Sequence, residues 1–314
     1  MPIWTQLKLP GQIGSAQLTD QLQTNLTAFL DWALLGIGGF LNVTLDNTAP
    51  FGGNPSTLRL SDDFRYPKGM VWDGFKTNWV WETNTDYNPQ PIQISGIYIN
   101  NTFYPTGVNA AYNIDYPDGR IFFNSPIATN SVVQVEYSYK YFNIYPASVQ
   151  WFQQLTERTF RIDDPQFNQY GSGIWSTFPV SRAQLPAIVI EPVPRRTWLG
   201  KGLGGGQWIY TDVLFHVFAE DPYTRNNMVD ILTYQNEKKF FFFDKNITAQ
   251  SGAFPLSPSG FLVNPNSTYP NLVNSFLWRY CIIRNTTAYN MNNEPQSIYR
   301  GISRWTMEVD MPEI

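Results

Sequence analysis

From Trp208 to Ala219 apolar and polar positions alternate. Ile209, Val213, Phe215, Val217 and Ala219 fall on one side and Tyr210, Asp212 and His216 on the other, which predicts a half-buried strand. Asp221 and Pro222 then supply an N-cap and a first-turn proline. Met228, Ile231, Leu232 and Gln235 recur at spacings of three and four, so a helix is expected to about Asn236. Lys238 and Lys239 lie just past its negative end, and Phe240 to Phe243 form an unbroken apolar run suited to a strand covered on both faces.

The same two periods organise the rest of the chain. Helical spacing governs residues 18–36, where Leu18, Leu22, Leu26, Phe29, Leu30, Ala33 and Leu34 form one stripe, Ser15 or Thr19 can cap, and Gly36 supplies a stop. The glycines of 37–45 permit a turn into an extended segment, and 47–67 reads as loop. Period two takes over from about Gly69 to Tyr145, with candidate strands at 77–83, 92–99, 112–116, 120–124 and 132–144 and a hairpin signal at Asp118-Gly119. Pro146 opens a second helix to about Arg158, with Val149, Phe152 and Leu155 inward. A short strand at 185–192 precedes a basic, glycine-rich stretch, 194–206, expected to be mobile unless held. Residues 245–270 look irregular, and long irregular segments are usually functional or bound to a neighbour. Strands at 275–284 and 299–310 follow. The simplest fold class is α+β: one domain from residues 1–50 and 146–314, interrupted by an all-β sandwich or barrel over 51–145.

Composition adds a bias toward contact. Aromatic residues make up 16% of the 314 positions and charged residues only 15%, against roughly 25% charged in an average soluble domain. A lightly charged, aromatic-rich surface suits lasting protein interfaces, with sugar stacking as the rival use. The formal charge of -4 argues against a protein built mainly to grip phosphate backbones. A single cysteine, Cys281, sits in an apolar run and reads as a buried thiol. The opening residues lack a secretory pattern and no run of 18 apolar residues occurs, so a soluble, non-membrane protein is expected. The Asn-x-Ser/Thr triplets are what chance gives in so Asn- and Thr-rich a chain.

Candidate chemistry is sparse. Gly200, Gly202 and Gly205 match G-x-G-x-x-G, but a strand follows them where a dinucleotide site needs a helix N-terminus. His216, the only histidine, lies mid-strand without a nucleophile elbow, and so reads as structural. The acidic pairs Asp62-Asp63, Asp163-Asp164 and Glu220-Asp221 read as turns or caps rather than as a glycosidase pair. No enzyme, cofactor or metal is therefore expected. Arg195, Arg196 and Lys201 beside Trp198 form a modest basic cluster, better suited to a subunit contact than to nucleic acid.

The order strand, Gly-rich loop, strand, capped helix, over residues 188–236, resembles tail terminator and neck proteins of tailed bacteriophages. Residues 97–100, 112–123 and 132–137 are similar to β-modules of phage virion proteins. The resemblance covers about half the chain. It implies a tail-terminator-like mixed sheet with flanking helices, in a virion protein of the head-tail connector region. It further implies a homo-oligomeric ring, six-fold, joining tail tube or sheath to the connector, with DNA passing through its lumen without sequence-specific binding. Loops 194–206 and 245–270 would order on neighbouring subunits, making Arg195, Arg196, Trp198, Lys201, Gly204, Phe254 and Phe261 the candidate interface residues. The different-class alternative is a carbohydrate- or receptor-binding β-rich module of a tail fibre or baseplate, motivated by Trp72, Trp79, Trp81 and the row Tyr137, Tyr139, Tyr141.

Overall fold

The computed structural model describes residues 14–46, 53–82, 85–107, 110–149, 151–153, 184–202, 206–291 and 298–311; at 14–17, 194–196, 198, 290–291 and 311 it describes the backbone alone. Its largest sheet has six strands. From edge to edge they are β10 (Asn143–Pro146), β11 (Ala187–Gly200), β12 (Gln207–Ala219), β15 (Tyr299–Met311), β14 (Leu277–Met291) and β13 (Lys239–Phe243). All neighbours are antiparallel except β10 and β11.

Helices cover one face of this sheet. On β12 that face carries Ile209, Val213, Phe215 and Val217, which join Trp305, Met307 and Val309 of β15 in the main core. Helix α1 (Gly14–Gly36) closes the core with Leu18, Leu22, Leu26, Leu30 and Leu34, all buried. Burying each such side chain contributes roughly 1.5–3 kcal/mol, so this stripe is what fixes α1 to the sheet. Asn25 adds direction: its amide nitrogen donates to the Phe243 carbonyl at 3.0 Å, and its oxygen accepts from the Phe243 N–H at 2.8 Å. Ser15 and Thr19 both lie inside the helix rather than at its cap. The chain turns at Gly38, in the left-handed region at φ +85°, where Gly39 N–H closes back on Leu34 O at 2.8 Å.

Helix α2 (Pro222–Thr233) starts as its sequence dictates, with Asp221 accepting from Thr224 N–H at 2.8 Å, and buries Met228, Val229 and Leu232. It stops before Asn236. Strand β13 departs from expectation, because Phe240, Phe242 and Phe243 are buried while Phe241 is 42% exposed. Phe240, Phe242 and Phe243 all join the main core, with a register shift between Phe242 and Phe243, so only Phe241 of the run is left facing outward.

A larger departure concerns 194–206. Residues 194–200 are not a loose excursion but the far half of β11, paired from Arg196↔Thr211 to Gly200↔Gln207 after a bulge between Val193 and Arg196. The 14-residue strand spans roughly 45 Å. Pro192 and Pro194 are tolerated because β10 accompanies β11 only as far as Ile190, and among the described residues no strand pairs with that edge beyond it, so no N–H is required there. Strand β14 likewise continues past Arg284 to Met291 against β15.

Residues 40–140 form smaller sheets. Strand β1 (Phe40–Val43) pairs with β9 (Tyr137–Lys140). A four-stranded sheet runs β2 (Arg59–Leu60), β3 (Val71–Asp73), β7 (Arg120–Phe123), β6 (Tyr112–Asp115), and a three-stranded one β5 (Thr102–Pro105), β4 (Gly96–Ile99), β8 (Val133–Val135). Between them lie Trp72, Trp79, Ile97, Ile121 and Tyr137. The expected strand at 77–83 is reduced to a single bridge, Trp79↔Tyr139, and 132–144 divides into β8, β9 and the start of β10. Asn100 and Asn101, at φ 50° and 66°, make the tight turn into β5, a strand the apolar pattern does not reveal.

Residues 245–270 also differ from expectation, since they pack on their own chain. They begin with α3 (Lys245–Gln250), capped by Asp244, and lead into α4 (Tyr269–Phe276). Between the helices Asn264 donates to Gly252 O and Phe254 O, Leu256 bridges Leu262, and Phe261 bridges Asp115. Tyr116 N–H donates to Gly260 O at 3.2 Å, stapling the segment to the β6–β7 hairpin.

Candidate interaction surface

The second face of the large sheet is covered only at one end. There Phe152, within the helical residues 151–153, packs with Ala187, Val189 and Phe218, so the near half of β12 is buried on both faces rather than half-buried. Over the far half of β11 and β12, and along β14 and β15, no described element lies on top. Register places Trp208, Tyr210 and Asp212 beside Asp310, Glu308 and Thr306 on this open face.

Charges on it are matched in pairs across strands. Arg284 donates through Nε and Nη2 to Glu308 at 2.6 and 2.9 Å, from a bulge between Ile283 and Asn285. Arg304 donates to Asp212 at 2.5 Å, and Thr306 Oγ1 donates to the same carboxylate at 2.8 Å. Lys201 contacts Asp310 and sits 4.4 Å from the Trp208 ring centre. Lys239 lies over Tyr280 at 4.1 Å. The Arg284 fork holds Glu308 below the usual carboxylate range, and the hydrogen bond to Glu308 pushes the Tyr210 hydroxyl up. The result is an aromatic and amphiphilic face on which Arg284, Arg304 and Lys201 are each paired with a carboxylate.

His216 belongs to the covered end. Its Nε2 is 2.8 Å from Glu191, and Arg300 Nη2 lies 3.0 Å from Nδ1. Arginine can only donate, so Nδ1 is the acceptor and the ring proton is on Nε2, facing Glu191. That hydrogen bond holds the Glu191 carboxyl down. Both ring nitrogens are thereby occupied, which suits a structural histidine.

The remaining sequence candidates scatter. Arg195, Arg196 and Trp198 lie on the far half of β11, with their side chains outside the described residues, as is Gly204 altogether. Lys201 stands at the tip of the β11–β12 hairpin, where its N–H donates to Gly206 O at 3.2 Å. Gly200 is the last paired residue of β11, and Gly202, at φ +82°, follows it in the connection to β12. Phe254 packs beside Phe243, and Phe261 stacks edge-on against Phe122 at 5.8 Å, so both rings face their own chain. Asp63 is buried against Arg65 and Arg120, Asp221 is a cap, and Asp163-Asp164 lies outside the described residues. Cys281 is fully buried, and burial pushes its thiol up. Trp72, Trp79 and Trp81 are buried, and Tyr137 is fully enclosed, which removes them as a sugar-stacking platform. Exposed rings occur instead at Phe103 and Tyr104 on β5.

Among the described residues no cluster of three or more His, Cys, Asp or Glu side chains is arranged to hold a metal ion, and no helix is long and apolar enough to cross a membrane. The chain matches no protein-family model and no curated protein.

Proposed function

We propose that this chain is a structural subunit of a phage neck, a tail terminator or connector ring that joins the tail tube to the head-side connector and lets DNA pass. The observation that carries this reading is the one-sided cover of the large sheet. Helices close one face, while the far halves of β11 and β12 leave an aromatic face and an edge that, among the described residues, has no partner strand. Arg284, Arg304 and Lys201 each sit on a carboxylate there, and cations so paired give sliding DNA little to hold, since counterion release needs free cations. Ring closure uses heterologous contacts, which need two different patches on each copy, and this face with its edge offers one of them. Residues 245–270 lend no support, because they are tied to their own subunit. Mass measurement at high concentration and negative-stain microscopy test the reading: rings with a central hole are expected, and a monodisperse monomer that does not cap tail tubes would overturn it.

A glycan- or receptor-binding module is the second reading, favoured by one observation. All four residues of edge strand β5 are exposed, including Phe103 and Tyr104. A glycan array separates the two, since the ring reading expects no binding there.

A further inference from the structure

Where α1 passes between the large sheet and the smaller ones, a cavity of about 420 Å³ opens, within the size range of small-molecule sites. Its wall is a connected row of rings. Trp32 lies 6.0 Å from Tyr269, Tyr269 is 6.4 Å from Phe243, and Phe243 is 6.2 Å from Phe254; Trp81 also lines the cavity. The exceptions to this apolar lining include two carboxylates, Asp31 and Glu82. Both hold the single ammonium of Lys140, at 2.5 and 2.8 Å.

Two carboxylates against one ammonium leave this end of the cavity short of a positive charge. Burial pushes the Glu82 carboxyl up against the pull of Lys140, and the nearby Asp31 charge adds to the rise. Asp31 is the more exposed of the two acids and the one carried on α1. A neutral apolar molecule would fill the rings and leave the charge unmatched, and an anion would be repelled. A small metal ion prefers a shell of oxygen donors, which ring walls cannot supply. An organic cation satisfies both halves, because its charge meets the carboxylate and its body meets the rings, whose faces also attract cations.

We propose that this cavity binds an organic cation, an ammonium or guanidinium group carried on an apolar body, with Asp31 as its counter-ion. The site is independent of the ring reading. Its cation can come free in solution or as a lysine or arginine side chain of a neighbouring copy.

Titration calorimetry on the full chain with phenethylammonium and its neutral counterpart 2-phenylethanol tests this. The cation is expected to bind at least tenfold more tightly, and the advantage to vanish in Asp31→Asn. Thr27→Trp, which fills the cavity from α1, is expected to abolish binding of both probes with the melting transition retained. Should Asp31→Asn fail to fold, the ratio of the two probes on the unaltered chain still decides. Equal affinity for cation and alcohol, or cation binding unchanged in Thr27→Trp, would overturn the proposal. Saturating phenethylammonium separates the sources: assemblies that dissociate assign the occupant to a neighbour's side chain, and an unchanged mass assigns it to a free amine. Failure to form rings would leave the cation preference standing, and loss of the preference would leave the rings standing.

Discussion

Arg284 holds Glu308 by two parallel hydrogen bonds although the two sit out of register, because the bulge after Ile283 turns the arginine toward a carboxylate on the neighbouring strand. Glu308 is almost fully enclosed while Arg284 is half exposed. Arg284→Ala should therefore cost about 1–3 kcal/mol, most of it from the carboxylate left behind rather than from the lost pair. The folded carboxyl binds its proton less readily than the unfolded one, so its contribution is complete above the ordinary glutamate range and is lost as pH falls through the depressed folded value. Urea unfolding across that acid range should show a shallower pH slope in the variant.

Lys140 presents the same logic with both acids on one cation. Lys140→Met strands Asp31 and Glu82 beside each other and is expected to destabilise by about 3–5 kcal/mol. Adding Glu82→Gln should restore at least about 1 kcal/mol of that loss, since it removes the more deeply buried charge. Equilibrium denaturation of the single and double variants checks the coupling.

Asp115 works in the opposite sense. Burial raises its carboxyl to about 6, against the donation from Asp118 N–H. The folded form binds the proton more readily, so stability falls as pH rises from the unfolded value, about 4, to the folded one. Asp115→Asn keeps an acceptor and removes the charge. Its melting temperature should match the parent near pH 4 and exceed it by about 2–4 °C above neutrality. A variant less stable at every pH would show that the carboxylate is needed where it stands.

Trp79 and Tyr104 separate core from surface among the aromatics of the smaller sheets. Trp79 is buried against Tyr137 at 4.5 Å and donates to Lys76 O at 2.8 Å. Trp79→Ala should cost about 3–5 kcal/mol, whereas Tyr104→Ala should stay within about 0.5 kcal/mol. Thermal melts of the two variants are sufficient, and only the second is usable for testing ligand contacts.

How much of this was legible beforehand depends on how local the cause is. Helix α1, strand β12 and the Asp221 cap follow from periods and neighbours within a few residues, and each appears close to its expected place. The far half of β11 was hidden because Pro192, Pro194 and the glycines look like strand breakers unless one knows that β10 accompanies β11 only as far as Ile190. Phe240 to Phe243 misled in the other direction, since a run of four apolar side chains does not say how many faces are covered. The pairs on the open face and the Lys140 triad were beyond reach: residues 31, 82 and 140 converge only once the sheets are stacked. Tyr137 and the tryptophans gave no hint of which side was inward, because aromatic residues serve cores and contact surfaces alike.

The bond between Asn25 and Phe243 also sets a schedule. Its two residues are 218 positions apart, and the leucine stripe of α1 packs on the same late-arriving sheet. At about 5–20 residues per second, a ribosome needs on the order of 10–45 s to deliver Phe243 after Asn25 has emerged. Throughout that interval an apolar helix has no sheet to lie on, which makes nascent α1 the natural handhold for a chaperone and the first place where slowed translation would turn into aggregation.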